Sequence, residues 1–423
     1  MKQQTQIIMK LCFYHQTFPK PFSWNSIKVS PIGGTQSAMI NIAHCLRLLG
    51  ADVTICNKTE TQVIDGVTYH QIHSYEDFIV YENQSDFDAV IYVGPERDFA
   101  SNYAPKLKAK KKIMWAQNGW YPHSSYNNYD TIVCVSNSMR LAYAYLPIFD
   151  KLCFIHNGVV PDYFPETLLD IEKSPKAIFI GSITQSKGLH HILRAWSQIK
   201  ALSPKAELLV AGSASIYGID SLGELGIATK EYEEKFLKPY LIDSDGKMRT
   251  DIKFLGAVPQ KELGALIASC RVALVNPNWI SSGETCCNAA LEAQASGTPV
   301  VGVNNGSLPE VIRDGATGSI VYQQDDRQYA ESVAHLLNDE NLSKQLGKAA
   351  RQFIFKGFTY EIQAKKWFSL LDSLLNDRPI AQNLKSNWYT DPPLISMTKW
   401  LARKSKLGLV ARLVVDKYRS LRG

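Results

Sequence analysis

The chain lacks several features that would assign it to a class at once. No run approaches the ~18–20 consecutive apolar residues of a membrane-spanning helix. Residues 1–14 have neither the apolar core nor the small-residue cleavage site of a secretory leader. The eight cysteines follow no Cys-x-x-Cys or zinc-ligand spacing, which argues against a zinc module. Cys12, Cys45, Cys56, Cys134, Cys153 and Cys270 sit in apolar segments, so buried free thiols in a reducing cytosol are expected. No long biased tract is present, and the composition is that of an ordinary globular protein. At 423 residues the chain exceeds one ordinary core, which predicts two domains.

The formal net charge of +6 is unevenly spread. From Met397 to the end, eight lysines and arginines face Asp416 alone, a tail of +7 on a body of about −1. A basic tail on a neutral body predicts an acidic surface as partner and argues against a nucleic-acid-binding body.

Strand-like and helix-like stretches alternate along the first half. Residues 10–15 read as a strand, followed by a Pro-containing loop, Gly33-Gly34-Thr35-Gln36 and an apolar-faced helix over 37–49. Residues 52–56, 89–93, 112–116, 132–136 and 152–155 read as further strands, a doubly wound, Rossmann-like α/β pattern. The pattern restarts with a strand at 177–180, a helix at 188–199 and a strand at 207–211. After a polar stretch over 213–250 it continues through 252–255, a helix at 260–269, and strands at 272–275 and 299–303. Pro161, Pro165 and Pro175 mark a linker near 157–176, and 358–375 reads as a final amphipathic helix.

The segment richest in chemistry is Glu284-Thr-Cys-Cys-Asn-Ala-Ala-Leu-Glu292. Ala289, Ala290, Leu291, Ala293 and Ala295 read as a buried helix that Gly297 stops. A helix beginning near Thr285 puts Glu292 roughly 10 Å along its axis and leaves Glu284 at its mouth. Free backbone N–H groups and the positive dipole end make such a start a ready anion site. Two carboxylates flanking an anion suit a diphosphate with hydroxyl groups on either side, the layout of a sugar nucleotide. Helix glutamates are mostly solvated surface residues. A carboxylate inside an Ala-rich buried helix, however, needs a partner.

Several ordered motifs together resemble glycosyltransferase family 4, whose two-Rossmann-domain architecture is called GT-B. They are Gly33-Gly34; Val135-Ser-Asn-Ser138; Ile155-His-Asn-Gly-Val159; Phe179-Ile-Gly181 with Lys187-Gly188; Phe254-Leu-Gly256; Glu284 to Glu292; Gly297-Thr-Pro-Val-Val301; and Gly306-Ser-Leu-Pro-Glu310 with Asp314-Gly-Ala-Thr-Gly318. The likeness runs from about residue 10 to 375. It implies an acceptor-side domain over 1–165, a nucleotide-sugar domain over 166–357, a helix over 358–376 crossing back to the first domain, and a basic extension over 377–423.

The resemblance also implies roles. Glu292 matches the family glutamate on the nucleotide ribose, and Glu284 the one near the transferred sugar. The amides of Thr285, Cys286 and Cys287 face the diphosphate, as do Gly181 and Ser182 at the end of their strand. Lys187 matches the lysine that neutralises the leaving diphosphate, and Gly33 and Gly34 allow close backbone approach. Two departures stand out. Ser182 follows Gly181 where the family commonly has arginine, and Gln117-Asn118 stands where many members carry a histidine on the donor sugar. Gln117, Asn118 or the later His123 is then a candidate contact to sugar or acceptor. A lone histidine is more often structural.

The implied reaction is a retaining transfer from a nucleotide sugar to an acceptor hydroxyl, with no cofactor. No Asp-x-Asp cluster sits at a strand end, so no required metal is expected. Two rival readings stay open: a nucleotide-sugar epimerase of the same architecture, and a transferase-like scaffold without activity. In the tail, Trp400, Leu407, Ala411, Val414, Tyr418 and Leu421 recur at helical steps among basic neighbours. Such a helix either packs back on the first domain or lies on an anionic bilayer. The second option predicts a cytoplasmic enzyme bound peripherally to the inner membrane face, acting on a saccharide or lipid-linked acceptor in cell-surface glycan assembly.

Overall fold

The computed structural model describes residues 9–15, 21–29, 32–121, 123–214, 221–279 and 284–385. These form two compact units. One holds the N-terminal strand, Gly34–Asn157 and the helix Tyr360–Leu375, and the other holds residues 28–29 and 32–33 with Gly158–Thr359. The basic tail read from the sequence lies outside the described residues.

The first unit is one sheet of eight strands: β1 (Lys10–Tyr14), β2 (Asp52–Asn57), β3 (Gln62–Ile64), β4 (Val67–Gln71), β5 (Ala89–Val93), β6 (Lys111–Ala116), β7 (Thr131–Cys134) and β8 (Leu152–Phe154). Their order is β3-β4-β2-β1-β5-β6-β7-β8, parallel throughout except for the antiparallel β3–β4 pair. That pair turns at Asp65–Gly66, with φ of 47° and 77°. Both positive angles suit the tight turn that Asp-Gly favours between apolar runs. The inner strands are fully buried on both faces, as parallel strands under helices must be. Helix Tyr360–Leu375 lies along helix Gly34–Leu48, with Trp367 set edge-on to Trp115 of β6 at 5.1 Å.

The second unit has six parallel strands: β9 (Ser174–Ile180), β10 (Glu207–Ala211), β11 (Ile252–Gly256), β12 (Cys270–Leu274), β13 (Val300–Val303) and β14 (Gly318–Val321). Their order, β11-β10-β9-β12-β13-β14, is the Rossmann order, which reverses direction between β9 and β12. In such sheets a ligand crevice opens beyond the carboxyl ends of the strands on either side of the reversal.

The units part at Asn157–Gly158, before Pro161 and Pro165 rather than after them, and again at Thr359–Tyr360. Both breaks have one cause. The Val159 N–H donates to the Phe358 carbonyl at 2.9 Å and Val159 bridges to Thr359, so the two crossings of the chain are tied together. For the same reason the last helix starts at Tyr360 and not at 358. All eight cysteines are free, and of the six in apolar segments only Cys45 keeps partial exposure.

Candidate functional site

β9 ends at Ile180, and the chain runs through Gly181 and Ser182 into a single 3-10 turn, Gln185–Lys187. Gly188 follows at φ 73° and opens helix Leu189–Leu202. A side chain there would press on the backbone nitrogen of Asn278 at 3.0 Å, so the position needs glycine for both its angle and its space. Across the switch point, β12 ends in Val275-Asn-Pro-Asn278. The crevice between these two strand ends is where the charged groups meet.

Lys187 Nζ lies 3.0 and 2.8 Å from the two carboxylate oxygens of Glu284. The glutamate side chain is 6% exposed and the lysine 33%, so a buried acid pairs with a base still open to solvent. Asn276 Nδ2 donates to Glu284 Oε2 at 2.6 Å. From behind, Ser307 N–H donates to the Glu284 carbonyl at 2.7 Å. Gly306, at φ 58°, runs so close that a Cβ on it would meet the Glu284 carbonyl oxygen at 2.2 Å. The loop after β13 thus sets the backbone of the glutamate, and the loop after β12 sets its head.

The helix after Glu284 begins at Asn288, not near Thr285. Cys287 has a non-helical ψ of 85°, and Asn288 N–H turns back to the Cys286 carbonyl at 3.1 Å. Thr285, Cys286 and Cys287 therefore form the approach to the helix, and Glu292 lies in its second turn. Glu292 is half-buried, and Gln260 Nε2 donates to its Oε1 at 2.9 Å. Burial pushes its pKa up to about 7, held back in part by the Gln260 hydrogen bond. Burial likewise raises Cys287 well above the ordinary thiol value, with the Glu284 charge adding to it, which keeps the thiol protonated beside the pair.

Gly181 stands at the end of β9 with its N–H bonded to Ala211 O at 3.2 Å, and Gly212 runs so close that a Cβ on Gly212 would meet the Gly181 carbonyl oxygen at 1.7 Å. Ser182 is buried, with its carbonyl accepting from Thr184 N–H at 3.0 Å. In the second unit Lys187, Glu284, Ser182, Gly181 and the 285–287 approach therefore gather around one switch point, with Glu292 on the adjoining helix.

Of the remaining candidates Gly33 is grouped with the second unit, and the others lie in the first. Gly34 opens helix Gly34–Leu48 of the first unit, with Gly33 directly before it. Gln117 is buried and exchanges two amide hydrogen bonds with Asn157, at 3.2 and 3.1 Å. Asn118 is exposed. His123 caps the short helix Ser124–Asn128, its Nδ1 accepting from Ser125 N–H at 3.2 Å. Among the described residues no group of three His, Cys, Asp or Glu is placed to hold a metal, and no helix is long and apolar enough to cross a membrane.

Sequence reasoning passed over Asn276, Asn278, Asn305 and Gln260. One signal was available: polar amides directly after buried apolar strands, in Val275-Asn-Pro-Asn278 and Val303-Asn-Asn305, where loops carry function.

Comparison with known proteins accords with this geometry. Residues 164–353 match the family described as Glycosyl transferases group 1. A D-inositol 3-phosphate glycosyltransferase of Corynebacterium diphtheriae is 30% identical over 247 residues, which are 54% of this chain and 51% of that protein. The chain thus spans about half the length of the curated relatives it matches. Among solved structures, a sucrose-phosphate synthase from Thermosynechococcus elongatus superposes with a TM-score of 0.69 at 15% identity, over 87% of this chain and all of that one. HepE of Anabaena, solved in complex with UDP-glucose, gives 0.65 at 15% identity, over 86% of this chain and 100% of its own. The fold is GT-B, and the segment that carries the Lys187–Glu284 pair is the one that matches the group 1 glycosyltransferases.

Proposed function

We propose that the protein transfers a sugar, with retention, from a nucleotide-sugar donor to an acceptor hydroxyl in the assembly of a cell-surface polysaccharide or glycolipid. The observation that carries this is the meeting of Lys187 and the buried Glu284 at the switch point of the second unit, with Glu292 on the helix that follows. Three relatives support the substrate class: one is named a D-inositol 3-phosphate glycosyltransferase, HepE was solved with UDP-glucose, and WaaG is described as a glycosyltransferase of lipopolysaccharide biosynthesis.

In this reading Glu292 accepts hydrogen bonds from the ribose hydroxyls. Its pKa near 7 means that it does so best above neutrality, when ionised. Lys187, a third exposed, can meet the diphosphate as negative charge grows on it, while Glu284 faces the transferred sugar. The positive start of helix Asn288–Ala295 adds to the same field. A preorganised cation beside the leaving group acts where charge develops, which is where electrostatic catalysis is most effective. Ser182 brings no charge, so Lys187 carries more of that work than it would beside an arginine. The departing phosphate oxygen takes the acceptor proton, which leaves no step that needs a side-chain base, a cofactor or a metal. The basic tail would hold the enzyme at the cytoplasmic membrane face, near a lipid-linked acceptor.

Incubation of the purified protein with UDP-, GDP- and ADP-sugars is the direct test. Slow donor hydrolysis with retained anomeric configuration is expected. Epimer formation would replace the proposal with an epimerase, and absence of any nucleotide binding would leave only a scaffold.

A further inference from the structure

One short segment touches one member of the charged pair and the turn that carries the other. Asn276 donates from Nδ2 to Glu284 Oε2 at 2.6 Å. Two residues on, Asn278 donates from its own Nδ2 to the carbonyls of Gln185 and Ser186, at 3.1 and 3.4 Å, in the turn that carries Lys187. The segment is braced in turn. Asn305 Nδ2 donates to the Asn278 carbonyl at 2.7 Å, and Asn278 N–H reaches Asn276 Oδ1 at 3.4 Å. Asn276 holds φ at 26°, a positive value that asparagine tolerates better than most residues and that branched side chains avoid. Pro277 between them fixes its own φ and stiffens the spacing. Lys187 and Glu284 are separated by 97 residues of sequence. Asn276-Pro277-Asn278 contacts the head of Glu284 and the backbone of the two residues before Lys187.

We infer that Asn276 and Asn278 are positioning residues that align the Lys187–Glu284 pair, Asn276 through the carboxylate and Asn278 through the lysine's turn. The inference rests on the proposed donor site and deepens it. A carboxylate offers about four lone-pair directions, and one ammonium cannot fix its plane. The Asn276 amide supplies the second donor without neutralising the charge, so Glu284 keeps its orientation when Lys187 turns to a diphosphate. Asn278 has the complementary task. It holds the 185–187 turn against the β12 end, and with it the reach of the lysine.

The two residues therefore have separable signatures. Asn276→Asp is the sharper substitution, because aspartate accepts the positive φ and the volume but replaces the donor by a repelling oxygen. It should fold normally, keep the KM for the nucleotide sugar within about threefold and lower kcat at least tenfold. Asn278→Ala should lower kcat more than the affinity for UDP, GDP or ADP, as loss of Lys187 itself would, and its crystal structure should show the 185–187 turn displaced with Glu284 still held by Asn276. Equal kcat in wild type and either variant overturns the assignment. A crystal structure of Asn276→Asp decides the matter independently of turnover. Loss of the Lys187–Glu284 contact supports the role, and a carboxylate still within about 3 Å of the lysine refutes it. If the wild-type protein turns over no nucleotide sugar, the functional proposal fails, and the positioning role stands or falls on that crystal structure alone.

Discussion

Replacing Glu292 by glutamine should make the protein more stable and less able to bind nucleotide, and pH separates the two effects. The folded-state pKa of Glu292 is raised from 4.5 to about 7. The folded protein therefore holds this proton more tightly than the unfolded chain does. As pH climbs from 4.5 to 7 the fold loses stability through this group, and above 7 the full cost of the buried charge is present. At about 1.36 kcal/mol per decade the cost is about 3 kcal/mol, and the residue's partial exposure lowers it toward about 1–2. Glutamine is neutral at every pH and keeps an acceptor for Gln260 Nε2. Thermal melts of Glu292→Gln should then rise by a few degrees over wild type at pH 8, at about 2–4 °C per kcal/mol for a unit of this size, and match it near pH 4. Nucleotide affinity should move the other way. Losing a charged acceptor for the ribose costs about 1.5–3 kcal/mol, roughly tenfold to 150-fold in Kd. Calorimetry with a nucleotide sugar, whose diphosphate does not titrate in this range, should also find wild-type binding about tenfold weaker at pH 6 than at its alkaline plateau, as a pKa near 7 requires. A Tm gain that is the same at pH 4 and pH 8, or affinity unchanged by the substitution, would refute the assignment of a strained, functional carboxylate.

Other outcomes follow from the same geometry. Glu284→Gln should leave nucleotide affinity near wild type and lower turnover at least tenfold, measured as donor hydrolysis; normal turnover would make the acid structural only. Lys187→Ala should reduce kcat more than affinity, and because it leaves a 6% exposed carboxylate with Asn276 as its remaining side-chain donor among the described residues, it should also lower stability by about 1–3 kcal/mol in urea titration. The double variant with Glu284→Gln should lose much less stability than the sum of the two. Gly306→Ala forces a Cβ to within 2.2 Å of the Glu284 backbone at a positive φ, so it should depress both Tm and turnover, while Gly315→Ala, with open space around it, should pay only the conformational cost of about 1 kcal/mol. Truncation after Pro393 should abolish salt-sensitive co-sedimentation with anionic liposomes; equal sedimentation of the truncated form would remove the membrane proposal.

Much of the fold was legible because its signals are local. Parallel strands buried on both faces read as short apolar runs, as in Ala89–Val93 and Val300–Val303, and Gly297 with Thr298-Pro marks the helix-to-strand turn. The Asp65-Gly66 hairpin was equally local and was passed over, although its dipeptide is a strong turn signal. Glu284 and Glu292 stood out as candidates by their places at the mouth and along one expected helix, and Lys187 through the family resemblance. The start of that helix could not be read locally, since the non-helical ψ of Cys287 depends on the loop packed behind Glu284. Sequence alone therefore determined the α/β class and the double Rossmann pattern, because each is written in periodicity over a few residues, and it nominated Glu284, Glu292 and Lys187 as candidates. What belonged to the tertiary structure was the company those residues keep. β9 and β12 lie side by side only because the sheet reverses direction between them, placing β10 and β11 on the far side of β9. That order brings Lys187 onto Glu284 and sets Asn276 against the glutamate and Asn278 against the lysine's turn, and long-range strand order is a property of the whole packed sheet that no local window of the chain contains.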